Sequence, residues 1–138
     1  MDLGLKGKSA IVTGGSRGIG LAISTALAIE GARVIINGRT EPSVSTGLEE
    51  IRRKVPEARL EGFAGDLSTA AAAAQLCAGT PEVDILVNNL GIFEPKPFGQ
   101  ISDDDWLRFF AVNVLSGIRL SRAYLPGMKE RDWGRIVF

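Results

Sequence analysis

Lys8-Ser9-Ala10-Ile11-Val12-Thr13-Gly14-Gly15-Ser16-Arg17-Gly18-Ile19-Gly20 decides the fold. Lys8 to Thr13 reads as a buried strand, an apolar run with a polar start and a glycine turn at its end. From Gly18 to Glu30, Ile19, Ala22, Ile23, Ala26, Leu27 and Ala28 recur at helical spacing, and Gly31 sits where a C-cap glycine is expected. A strand that enters a helix through such a turn sets backbone without Cβ beside free helix N–H groups and the positive dipole end. That combination suits an anion, above all a dinucleotide pyrophosphate. Gly14 and Gly18 suit the tight turn, and Gly20 lets the helix pack close to the sheet. The spacing is G-x-x-x-G-x-G rather than the commoner G-x-G-x-x-G. Three glycines alone also fit an ordinary turn; the strand before and the helix after favour the phosphate loop.

Outward from this unit the same alternation repeats. Arg33 to Asn37 reads as a second buried strand. Glu41 to Lys54 reads as a helix with Val44, Leu48 and Ile51 on one face, ended by Pro56. A third strand is expected at Arg59 to Phe63, an alanine-rich helix at Ser68 to Ala78, and a fourth strand at Val83 to Val87. Asn89 to Gln100, with two prolines and two glycines, is expected to be a loop. Ser102 begins a long helix with Asp103, Asp104 and Asp105 at its positive end. It should reach about Lys129, bent or frayed at Pro126, before a fifth strand starts at Arg135. Alternating strands and helices predict one α/β domain over residues 1–138: a doubly wound, Rossmann-like parallel sheet of order 3-2-1-4-5.

Composition narrows the function. Sixteen basic residues balance sixteen acidic ones, which argues against nucleic acid or an anionic membrane as partner. No apolar run approaches a bilayer span, and the first nine residues hold no apolar signal core. One cysteine, Cys77, excludes an intramolecular disulfide, and a cytoplasmic location is expected. With no histidine, a transition-metal site and a Ser-His or Cys-His nucleophile pair are also excluded.

Four motifs then resemble the short-chain dehydrogenase/reductase family. Thr13 to Gly20 is similar to its T-G-x-x-x-G-x-G signature. Asp66-Leu67 follows the third strand, where the family sets an Asp and an aliphatic residue against the adenine. Asn88-Asn89-Leu90-Gly91 resembles its N-N-A-G, with Leu90 in place of the alanine. Asn113-Val114 resembles the N-V pair that carries its catalytic asparagine. The resemblance implies an oxidoreductase that moves a hydride between a nicotinamide cofactor and a carbonyl or secondary alcohol, with 3-oxoacyl reductases as the nearest substrate class. It further implies that the turn (Gly14, Ser16, Gly18, Ile19, Gly20) holds the pyrophosphate and that Asp66 and Leu67 hold the adenine. Asn89 and Gly91 would face the cofactor ribose, and Asn113 would join the proton relay. A homo-oligomer built through the helix at 102–130 is a further expectation.

The end of the second strand bears on the cofactor. NAD usually calls for a carboxylate there, for the ribose 2′-OH; this chain has Asn37-Gly38-Arg39. Arg39, with Arg17 in the turn, suits a 2′-phosphate. NADP(H) is therefore preferred over NAD(H), the alternative being that both arginines are solvated surface charges. Other residues read more plainly. Asn88 is expected to tie neighbouring strands through its amide, Cys77 to be buried on a helix face, and Trp106, Phe109 and Phe110 to be core or subunit contacts.

The family's acid is a tyrosine with a lysine one helical turn on, which lowers its pKa, and a serine after the fifth strand polarises the carbonyl. The only tyrosine is Tyr124, with Met128 four residues on and Lys129 five. An offset of five lies on a different helix face, so Tyr124 is not the family's acid. A chain ending at Phe138 is therefore expected to be a fragment, or one piece of a split reductase, inactive alone. The rival expectation is a non-enzymatic nucleotide-binding or assembly module.

Overall fold

The computed structural model describes residues 2–138. Five strands form one parallel sheet: β1 (Ser9–Val12), β2 (Arg33–Gly38), β3 (Leu60–Ala64), β4 (Ile85–Val87) and β5 (Arg135–Val137), in the order β3-β2-β1-β4-β5. The expected topology is therefore the observed one. In register, Ile11 lies beside Ile35 and Leu86.

Strand side chains alternate between faces, and two cores result. On one face Ile11, Ile35 and Leu86 pack with Leu67, Leu76, Leu120, Tyr124 and Met128. On the other, Val12, Val34, Ile36 and Val87 pack with Ala28, Val44 and Ile51. Burial on both sides is why these strands read as continuous apolar runs.

The helices are α1 (Gly18–Ile29), α2 (Glu41–Lys54), α3 (Ala70–Gly79), α4 (Asp103–Phe110) and α5 (Ser116–Glu130). Their starts follow from local caps. Thr40 and Thr69 accept from the backbone N–H three residues on, at Ser43 and Ala72. Thr69, rather than Ser68, thus sets the first turn of α3. Ser102 and Asp105 make a reciprocal capping box at α4.

The long helix differs from expectation. It runs through Pro126 and breaks its α pattern instead at Ala111–Leu115, a π segment between α4 and α5. Nor are its aromatic residues core. Trp106 is 55% and Phe110 54% exposed, and no residue of α4 or the π segment is buried. Cys77 is half-buried at the edge of the first core. At the sheet's far end Trp133 packs on the second core, with Lys8 Nζ 4.1 Å and the Arg135 guanidinium 4.8 Å from its ring. No helix among the described residues is long and apolar enough to cross a membrane.

Candidate cofactor cleft

In a sheet of this order the strand sequence reverses between β1 and β4, and the crevice at their carboxyl ends is where ligands bind. Gly14 leaves β1 there, and Asn89 leaves β4. A cleft of about 420 Å³ opens between them, lined by Gly14, Ser16, Arg17, Gly18, Ile19, Gly20, Arg39, Asn89 and Gly91 among others. Nine expected site residues thus share one cavity. The remaining lining residues are Asn37, Gly38, Thr40, Ser43 and Leu90, so no carboxylate lines it.

The turn is shaped by its glycines. Gly14 and Gly18 adopt φ of +60° and +56°, a region that costs any residue with a Cβ. A Cβ on Gly20 would overlap the Gly14 carbonyl oxygen and lie 2.5 Å from Asn89 Nδ2. Gly20 therefore lets α1 meet the turn itself rather than the sheet.

Three side chains that carry no charge hold the turn. Thr13 Oγ1 accepts from the Asn89 and Leu90 N–H groups at 3.0 and 2.9 Å. Asn89 Nδ2 donates to the Thr13 and Gly14 carbonyls at 3.0 and 3.2 Å. Asn37, 1% exposed, accepts from Gly14 N–H and donates to the carbonyls of Phe63 and Gly65. The sequence offered only an absent carboxylate at position 37. A buried amide that ties β2 and β3 to the turn has no local signature.

The helix N-termini show one contrast. Side-chain oxygens cap α2, α3 and α4, whereas α1 begins at Arg17 with no side-chain cap. Its first residues, Gly18, Ile19 and Gly20, line the cleft, and no carboxylate lines it.

Other expected residues lie elsewhere. Asp66 is exposed and Leu67 only 1% exposed within the first core; neither lines the cleft, and Leu67 can offer a ligand only backbone. Asn113 sits in the π segment, where it brackets one residue of the loop after β4. Its Oδ1 accepts from Ile92 N–H at 2.7 Å, and its Nδ2 donates to the Ile92 carbonyl at 3.1 Å. Asn88 joins β4 to α5 rather than strand to strand, donating to Ser121 Oγ at 3.3 Å. Tyr124 donates to the Thr80 carbonyl at 2.8 Å and is 3% exposed. Burial, with Cys77 beside it, raises its pKa well above the phenol range, which suits a structural hydroxyl. No group of three or more His, Cys, Asp or Glu side chains poised for a metal occurs among the described residues.

Known proteins extend this picture. The chain is 52% identical over its full length to the uncharacterized oxidoreductase YvaG of Bacillus subtilis, covering 52% of that protein. It is 37% identical to the 3-oxoacyl-[acyl-carrier-protein] reductase FabG of Pseudomonas aeruginosa, over 98% of this chain and 56% of that one. It superposes on L-sorbose reductase of Gluconobacter frateurii, solved with NADPH and L-sorbose, with a TM-score of 0.87 and 32% identity. That match covers 99% of this chain and 53% of the other. The chain thus spans about half the length of the curated relatives it matches. The family model for short chain dehydrogenase matches residues 8–138, and the chain belongs to that oxidoreductase family.

Proposed function

We propose that the cleft binds NADP(H) and that the chain serves hydride transfer between this cofactor and a small carbonyl or secondary alcohol. The observation that carries the reading is the uncapped start of α1 beside a turn whose Gly14 and Gly18 hold positive φ and whose Gly20 has no space for a Cβ. Such a terminus is a ready anion site. In this reading the backbone from Gly14 to Gly20, with Ser16 and Ile19, holds the pyrophosphate. Arg17 and Arg39 hold the ribose 2′-phosphate, favoured by the absence of any carboxylate in the lining. Asp66 and the Leu67 backbone meet the adenine, and Asn89 and Gly91 line the ribose path.

The cofactor, when bound, supplies or accepts the hydride. Asn113 acts by fixing the Ile92 peptide, and thus the wall after Gly91, while its π segment frees backbone carbonyls from the α pattern to take part in a proton relay. A 3-oxoacyl group is the proposed substrate class, supported by the relative named for that reaction. A homo-oligomer through the exposed apolar face at 102–130 is proposed with it.

Titration of the purified protein with NADPH and NADH tests the reading. NADPH should bind at least tenfold more tightly, and equal affinities would reject the NADP(H) assignment. Binding of neither would reject the cleft. Binding without turnover of any carbonyl, after a segment bearing the serine and Tyr-x-x-x-Lys is joined, would favour a nucleotide-binding module.

A further inference from the structure

We infer that Ser43 is a specificity-determining residue of the cleft: its hydroxyl donates to a phosphomonoester on the ribose and helps separate NADP(H) from NAD(H). The inference rests on the cofactor reading above and names a residue that the family signature does not.

Ser43 Oγ and Ser16 Oγ are 2.8 Å apart. Ser16 is 8% exposed, and its hydroxyl has no other partner among the described residues. A buried hydroxyl must place its proton. Either hydroxyl of this pair can donate; when an anion accepts from Ser43, Ser16 donates and Ser43 accepts. The proton of Ser43 is then not spent on Ser16, and Ser43 lines the cleft with Arg17, Arg39 and Thr40. Donation from Ser16 polarises that hydroxyl and makes it a better donor to an anion.

The corner is also rigid. A Cβ on Gly38 would lie 2.8 Å from Ser16 Oγ, and one on Gly47 2.9 Å from the Ser16 carbonyl oxygen. The turn is therefore seated on α2, and Ser43 cannot drift from Ser16 without unpacking that contact. Ser43 lies in the first turn of this 14-residue helix, where the dipole adds to the attraction for an anion.

Adenosine 2′,5′-bisphosphate and 5′-AMP differ by the one phosphate in question. Calorimetric titration of the purified protein with both should show Ser43→Ala weakening the bisphosphate about tenfold, as loss of a hydrogen bond to a charged group does. Affinity for 5′-AMP should not change, and Ser43→Thr should keep the wild-type ratio. Ser43→Asp, a helix-favouring change at this position, should remove bisphosphate binding alone. The inference is overturned if Ser43→Ala leaves the ratio unchanged or weakens both nucleotides alike. If the wild-type protein does not distinguish the two nucleotides, the NADP(H) reading itself has failed.

Discussion

Around the glycine turn, Thr13, Asn37 and Asn89 spend their polar atoms on neighbouring backbone, and glycines let segments touch. Around α4 the arrangement is the opposite. The loop from Gly91 to Ile101 is held by side-chain ion pairs, Lys96 with Asp105 at 2.9 Å and Glu94 with Arg108, while Trp106, Leu107 and Phe110 lie exposed. Buried uncharged hydrogen bonds punish any loss, because the abandoned partner stays dry. Exposed ion pairs lose little when broken, since water and salt replace the partner. The comparison teaches that the cofactor side is preformed and intolerant, and the loop side adjustable.

Four measurements would break or sharpen that contrast. The largest effect is expected from Gly20→Val. Its side chain must displace the Gly14 carbonyl and the Asn89 amide, costing roughly 3 kcal/mol in urea unfolding and removing detectable NADPH binding. A variant that melts and binds like wild type would break the comparison outright. Asn37→Ala comes next, at about 2–3 kcal/mol, because the Gly14 N–H and the Phe63 and Gly65 carbonyls lose their partner. Its NADPH affinity should fall with its stability, through the loosened turn.

Arg39→Asp should leave the fold intact, since Arg39 is exposed, and move the NADPH-to-NADH affinity ratio about a hundredfold toward NADH. An unchanged ratio would return Arg39 to the solvated surface. The smallest effect belongs to Asp105. Lys96, then Ser102, hold its pKa at about 2, below the ordinary 3.8. A carboxylate with a depressed folded pKa contributes stability that is complete above its unfolded pKa and lost as pH falls through the folded one. The difference between Asp105→Asn and wild type should thus be flat from pH 8 to pH 5 and fade from about pH 4 toward pH 2. A difference that grew between pH 5 and 8 would show that another group is in play.

Much of this was legible in the residues. The bounds of α2 follow from the apolar face of Val44, Leu48 and Ile51 and from Pro56, and the sheet order from the βα alternation. Positive φ at Gly14 and Gly18 answers to the turn they punctuate. What stayed hidden was long-range. Nothing near Asn113 announces a π segment or its bracket to Ile92, 21 residues away. The resemblance sets Leu67 against the adenine, and nothing local says that its side chain packs into the first core. For Trp106 and Phe110, expected as core or subunit contacts, exposure removes the core alternative; a helical stripe does not say which side is covered.

The setting of the two tryptophans has a practical consequence. Trp133, with Lys8 and Arg135 both against its ring, joins the N-terminal end of the opening strand to the last one, whereas Trp106 is more than half exposed. Intrinsic fluorescence therefore contains two separable signals. A Trp106→Phe protein reports the closing of the sheet's trailing edge through one emitter, and a Trp133→Phe protein reports whatever comes to rest on the outer helix. Between them, folding and docking can be timed in the same cuvette without any label.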